Sequence, residues 1–210
     1  MTLKSRSTSI SLMKRGIYLL AAITIGLTLL LFVGCGGGKP FNVKSEVTLP
    51  PLADAPTAHT ASVRMQAAAV RDEDFLLATF DANLVLAGVL PVNVTVVNQT
   101  AQPLDLHKAR FELRTSDGHA YKAADAKRAF GRLIKYYGIS TYNKSGYKKS
   151  REDFAAYLLD TSAPLAMGES RRGMLFFIVP DSVIRTTGLK LIGARLGVTE
   201  SGSALELQLN

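Results

Sequence analysis

Apolar and polar residues alternate along much of residues 62–210, and this period of two predicts β-strands. The alternation is clearest in Val92–Val96, in Ala109–Arg114 and in Leu205–Leu209, where three leucines share one face. The run Met174–Val179 is apolar throughout, which predicts a central strand buried on both of its faces. The pattern therefore indicates a mainly β domain.

Shorter segments extend this pattern. Ser62–Val70, Phe75–Phe80 and Leu189–Val198 predict further strands, and Ser116-Asp117-Gly118 predicts a tight hairpin turn. The segment Asp81–Gly88 predicts a short helix with its first residue at the N-cap. Many short strands separated by turns are typical of an antiparallel β-sandwich.

A helical insertion at about residues 124–158 interrupts the strands. Apolar residues of Ala124–Tyr137 recur at spacings of three and four, which predicts an amphipathic helix. Ser150 and Asp153 fit a capping box that opens a second helix over Arg151–Leu158, after a polar loop.

This insertion carries most of the positive charge of the chain. The whole chain has a formal net charge of +8, and residues 122–151 hold nine basic residues against Asp125 alone. The basic residues that could bind an anionic surface are Lys127, Arg128, Arg132, Lys135, Lys144, Lys148, Lys149 and Arg151. Beside tyrosines, such residues suit anionic lipid, glycan or an acidic envelope protein. A solvated helix face is the simpler interpretation, and it is favoured.

The N-terminus has the pattern of an export signal. Residues 1–16 contain four basic and no acidic residues, and residues 17–33 are an uncharged apolar run. Small Gly34 then precedes Cys35, which is the only cysteine of the chain. The pattern predicts a signal peptide over residues 1–34, with a retained transmembrane helix as the alternative.

Residues 31–35 resemble the lipobox of bacterial lipoproteins. Leu31, Val33 and Gly34 would form the recognition site of the signal peptidase, although Phe32 stands where the family prefers leucine. The resemblance implies that Cys35 is lipidated and anchors the protein in a membrane. Gly36 is not the aspartate that commonly retains lipoproteins in the inner membrane, so the resemblance implies the outer membrane, facing the periplasm.

Glycines and prolines after Cys35 predict a flexible tether. Residues 35–61 show no useful helical or strand period, so the folded domain is expected over residues 62–210, with the basic insertion at 122–158. The order of motifs in the domain resembles immunoglobulin-like domains of small envelope lipoproteins of unknown function. The motifs are Val92–Asn98, Pro103, Phe111–Gly118, Gly168-Glu169 and Gly173–Pro180.

Groups that could carry chemistry are sparse. His59, His107 and His119 lie far apart, with no metal-ligand spacing, so we expect neither a metal site nor a cofactor. The expected function is therefore a lipid-anchored binding or assembly module of the cell envelope, and not an enzyme. A periplasmic hydrolase or glycan-modifying enzyme with an unrecognised site is the alternative, and an accessory subunit that pairs through strand edges is a third. Export makes a nucleic-acid partner improbable.

Overall fold

The computed structural model describes residues 41–139, 144–196 and 204–209. Eight strands form the framework of this part of the chain. They are β1 (Thr57–His59), β2 (Val63–Ala69), β3 (Val89–Asn98), β4 (Arg110–Arg114), β5 (Ala120–Ala124), β6 (Ser170–Ile178), β7 (Lys190–Ala194) and β8 (Leu205–Gln208). The prediction of a mainly β domain is confirmed.

All neighbouring strands pair antiparallel in the order β1-β2-β3-β6-β5-β4-β7-β8. Strand β5 joins the two halves, because Tyr121 and Lys122 pair with β4 while Ala123 and Ala124 pair with β6. The outermost strands β1 and β8 contact each other, so the sheet is nearly closed into a barrel. In this order β7 and β8 lie across the interior from β3 and β6.

The first core fills the interior between the two halves. Alternate residues of β3, including Val92, Val94 and Val96, face those of β8, whose Leu205 and Leu207 are also buried. The alternation in the sequence therefore marked the inward face of these strands correctly.

A second core lies outside the sheet, under a layer of helices. Three helices form this layer: α1 (Glu73–Phe80), α2 (Ala126–Tyr137) and α3 (Lys144–Ala156). They cover the outward face of β3 and β6, where Val89, Met174 and Phe176 are buried. The strand predicted over Met174–Val179 is thus buried on both faces, as expected. A short helix α4 (Asp181–Ile184) follows β6.

The prediction of a flexible tether is wrong for residues 41–61. Val43 is fully buried in the second core, Leu52 is buried as well, and β1 pairs with β2. The Asn93 side chain donates to the Pro50 carbonyl at 2.6 Å, which fixes this segment to β3. The isolated apolar residues of the segment are buried by tertiary contacts, and a local period was not needed.

Two local predictions between β2 and β3 are wrong. Phe75–Phe80 is part of α1, because the Asp72 carboxylate accepts from the Phe75 backbone N–H at 2.9 Å and caps a helix there. Asp81 is the C-cap of α1, in the left-handed region at φ 53°, and residues 82–88 form turns rather than a helix.

The first helix of the insertion is confirmed, but the second begins earlier than predicted. Asp125 caps α2, and Gly138 ends it in the left-handed region at φ 60°. Helix α3 already starts at Lys144, so Ser150 lies inside it and is no cap. Its hydroxyl instead donates to the Phe41 carbonyl at 2.9 Å.

Candidate functional site

Helix α2 turns a cationic face directly away from the domain. Asp125 fixes its first turn by accepting from the Arg128 backbone N–H at 2.7 Å. The buried residues Ala129, Phe130 and Leu133 hold one side of the helix against the second core. At about 100° per residue, the opposite side carries a stripe of exposed residues. These are Lys127, Arg128, Gly131, Arg132 and Lys135, and we call them the α2 face.

The α2 face has little compensating negative charge. Among the described residues, no carboxylate lies within 4 Å of the charged group of Lys127, Arg128 or Lys135. Arg132 is held differently, because its Nε donates to the Ala87 carbonyl at 2.9 Å. Three cations therefore remain available to an external anion, and the fourth is already oriented.

The C-terminal end of α2 is fixed to the turns at residues 82–88. The Tyr137 hydroxyl donates to the Asn83 carbonyl at 3.0 Å and accepts from the Asn83 backbone N–H at 3.2 Å. Desolvation raises the pKa of Tyr137 above its ordinary value, so the hydroxyl stays protonated and can donate. These bonds hold the end of α2 against the turns.

Two of the four basic residues of α3 are paired with acidic residues. Lys148 pairs with Glu152 at 3.8 Å, and Lys149 pairs with Asp153 at 2.6 Å. Both acids lie just past residue 151, where the charge excess of the sequence ends. Arg151 is half-buried, and the Lys144 side chain lies outside the described residues. Of the predicted basic residues, Lys127, Arg128 and Lys135 are thus open on the α2 face, whereas Lys148 and Lys149 are paired on α3.

Sequence reasoning missed two apolar neighbours of the α2 face. Tyr136 and Leu86 are each 51% exposed. Tyr136 follows the stripe on α2 and packs edge-on against Tyr137, with ring centroids 4.9 Å apart. Leu86 directly precedes Ala87, whose carbonyl accepts from Arg132. Only the fold brings Leu86 to α2, so no sequence signal could have found it.

The predicted lipidation residues Cys35, Leu31, Val33 and Gly34 lie outside the described residues. Among the described residues, no helix is long and apolar enough to cross a membrane. The described chain begins at Phe41, and its ring lies 5.8 Å from that of Phe130 on α2.

The candidate catalytic groups do not converge. His119 Nδ1 lies 3.1 Å from an Asp117 carboxylate oxygen at the exposed tip of the β4–β5 hairpin. The Thr115 hydroxyl donates to the same carboxylate. Hydrogen bonds from Thr115 and then His119 hold the pKa of Asp117 below its ordinary value. These contacts shape a turn. No group of three potential metal ligands occurs within the described ranges.

Two of the motifs behind the immunoglobulin-like resemblance meet at one end of the sandwich. The Asn98 side chain donates to the carbonyls of Leu165 and Ala166 at 3.0 and 3.1 Å. The Glu169 carboxylate accepts from the Ala166 backbone N–H at 2.7 Å, and this bond is the main reason that its pKa is lowered. These residues hold the loop before β6 against β3, which is a structural role.

Comparison with known proteins finds similarity to solved structures. No protein-family model matches the chain, and no curated protein matches it in sequence. Among solved structures, the chain is similar to the yjhA protein from Bacillus subtilis, at 12% identity over 73% of this chain and 96% of that one, with a TM-score of 0.37. A conserved hypothetical protein from Bacillus anthracis matches at 13% identity over 71% of this chain and 91% of that one, with a TM-score of 0.36.

A third similar structure is an uncharacterised β-sandwich protein from Clostridium difficile 630. It matches at 11% identity over 78% of this chain and 95% of that one, with a TM-score of 0.34. Likeness at this level carries no argument about function, so the candidate site stands on its own geometry.

Proposed function

We propose that this chain is a lipid-anchored protein of the cell envelope whose β domain is a binding or assembly module. The observation that carries the proposal is Val33-Gly34-Cys35 at the end of an uncharged apolar run, after a basic N-terminus. Lipid on Cys35 would hold the protein in the membrane, and the absence of an aspartate at residue 36 favours the outer membrane, facing the periplasm.

The α2 face supports a binding role for the domain. It is exposed and largely uncompensated, and its helix is fixed at both ends. Strand edges offer less to a partner, because β1 is only three residues long and contacts β8. We propose no catalytic role, since His119 and Asp117 sit on an exposed turn and serve its hydrogen bonding.

We also infer that the sandwich is immunoglobulin-like. The support is the strand order: β2-β3-β6-β5 and β4-β7-β8 follow the A-B-E-D and C-F-G orders of a constant-type domain. On this assignment α2 and α3 are an insertion between strands D and E. Backbone amide contacts by NMR between β3 and β6, and between β4 and β7, would support it. Direct pairing of β3 with β4 would overturn it.

The lipoprotein proposal is tested by following the N-terminus in the native host. The mature protein should begin at Cys35, carry lipid and fractionate with the envelope. Cys35→Ser should abolish lipid labelling and leave an uncleaved precursor, while Ser45→Ala, an exposed site, should change neither. A wild-type protein that keeps residues 1–34 would overturn the proposal in favour of a transmembrane anchor.

A further inference from the structure

We propose that the α2 face docks on the anionic bilayer surface in which the lipid of Cys35 is inserted. This inference rests on the proposed lipidation and adds an orientation and a partner to it: the helical layer faces the membrane, and β7–β8 faces away. Three observations carry it. They are the short chain between Cys35 and the fold, the place where that chain joins the fold, and the charge of the surface found there.

The connection from anchor to fold is short. Only six residue steps separate Cys35 from Phe41, where the described domain begins. A fully extended chain gains at most about 3.3–3.6 Å per residue, so the two Cα atoms lie within roughly 20 Å of each other. The tether predicted over residues 35–61 would have let the domain stand off the membrane, and the burial of Val43 and Leu52 removes that freedom.

The chain joins the domain inside the helical layer. The Phe41 ring packs against Phe130 of α2, and the Phe41 carbonyl accepts from Ser150 of α3. The Asn42 backbone N–H donates to an Asp81 carboxylate oxygen at 3.1 Å, at the end of α1. The Lys44 backbone N–H donates to the Thr79 carbonyl at 2.8 Å. All three helices therefore hold the first residues of the fold, and the short chain keeps this layer close to the bilayer.

The surface on this layer has the composition that an anionic bilayer attracts. Lys127, Arg128 and Lys135 are exposed on the α2 face. Lipid phosphates attract such basic residues within a Debye length of the membrane. Tyr136 adds an exposed aromatic side chain that suits the headgroup level, and Leu86 adds an exposed aliphatic one that suits the acyl boundary below it.

The opposite side of the domain carries exposed ion pairs. On β7 and β8, Lys190 faces Glu206 across the strands at 3.7 Å. On the neighbouring β4, Arg114 lies 3.8 Å from Glu112. Part of the positive charge on that side is thus compensated, whereas Lys127, Arg128 and Lys135 have no carboxylate within 4 Å among the described residues.

Anchoring makes weak attraction sufficient. A surface confined by a short linker meets its target at an effective concentration of about millimolar order. The α2 face does not need high intrinsic affinity, and docking should depend on anionic lipid and on ionic strength.

The experiment uses the full-length protein processed in its host and reconstituted into vesicles. Because the thiol of Cys35 carries lipid, an introduced cysteine is the only one that a fluorophore can label. Gly131→Cys places a label in the α2 face without removing a charge, since a Cβ at Gly131 meets no atom within 4 Å. Gln208→Cys labels the exposed outer side of β8 as the matched control.

In vesicles of phosphatidylglycerol and phosphatidylcholine, the label at residue 131 should lose most of its accessibility to an aqueous quencher. The label at residue 208 should keep it. High salt or pure phosphatidylcholine should return the label at residue 131 toward the control. The triple change of Lys127, Arg128 and Lys135 to Gln, added to Gly131→Cys, should likewise restore the accessibility of the label at residue 131.

The control is a charge-matched triple change to Gln on the β4–β7 side, at Lys108, Arg110 and Lys190. Added to Gly131→Cys, it should leave the label at residue 131 protected from the quencher. Mass spectrometry of the N-terminus separates the two proposals. An unlipidated N-terminus would overturn the lipoprotein proposal and this inference with it. A lipidated protein whose two labels are equally accessible in anionic vesicles would overturn this inference alone.

Discussion

Two outward faces of the sheet differ in what covers them. One is the face of β3 and β6, and the other is the face of β7 and β8. On the first, Met174 and Phe176 are buried under three helices. On the second, Lys190, Glu206 and Gln208 face solvent. The helix-covered side also receives the N-terminal segment and carries the α2 face. The helix-covered side thus carries the cations of the α2 face, whereas the other side is bare and holds the Lys190–Glu206 pair.

The covered side is also packed differently from the interior of the sheet. The interior is built mainly from valine and leucine, whereas the second core contains a cluster of aromatic rings. Phe154 stacks on Phe176 at 4.6 Å between ring centroids and lies 5.5 Å from both Phe80 and Phe130. Because β3 and β6 contribute to both cores, we infer that the helices are part of the cooperative fold rather than an appendage.

The largest expected effect comes from opening the aromatic core. Phe154→Ala removes a fully buried ring, and we expect a loss of about 3–5 kcal/mol in the free energy of unfolding. Denaturant unfolding followed by circular dichroism measures it. The control Tyr136→Ala, at an exposed site on the same layer, should change stability by less than about 0.5 kcal/mol. If the variant lost its helical signal at a lower denaturant concentration while the β transition kept its midpoint, the helices would be an independent appendage.

The next effect contrasts two glycines, one under the covered side and one on its surface. A Cβ at Gly173 of β6 would fall on the backbone of Leu158 and Leu159, which runs beside the strand there and forms a parallel bridge to Met174. We expect Gly173→Ala to destabilise by about 1–3 kcal/mol. Gly131→Ala fills open space in a helix and should stabilise by about 0.5–1 kcal/mol. Equal effects at the two positions in a thermal unfolding series would contradict the packing described for β6.

A smaller effect tests how the N-terminal segment is held on the covered side. The buried Tyr157 hydroxyl donates to the carbonyls of Lys44 and Glu46, at 3.2 and 2.9 Å. Burial raises the pKa of Tyr157, so the hydroxyl remains a donor. Tyr157→Phe should cost about 1 kcal/mol, because those carbonyls lose their partner. Tyr147→Phe, which keeps the ring against Phe130, is the control and should be near neutral. Equal stability of both variants would contradict the proposed attachment.

The sequence predicted the strands well because burial of one face leaves a period of two. Strand β3 and the leucines of β8 are examples. Phe75–Phe80 misled because its apolar residues suit a strand, whereas the Asp72 cap and two acidic residues in the first turn make it a helix. Local capping decided this element, and the apolar pattern did not.

The candidate site was only partly predictable. Spacing placed the basic residues of α2 opposite its apolar side, and this follows from helix geometry alone. The pairing of Lys148 with Glu152 needed the true start of α3, and the position of Leu86 needed the fold. The burial of Val43 depends on partners far along the chain, so a scan of local periods could not reveal it.

The most direct test of the account is hydrogen exchange of residues 41–52 in the protein purified from its host. The proposed orientation at a membrane depends on this segment being part of the fold, with the Asn42 and Lys44 amides bonded to Asp81 and Thr79. Mass spectrometry should find peptides of this segment protected to the same order as those of α2, with protection lost in Tyr157→Phe before that of β3. Exchange at the rate of an unfolded chain would mean a long tether, and the docked arrangement would be wrong.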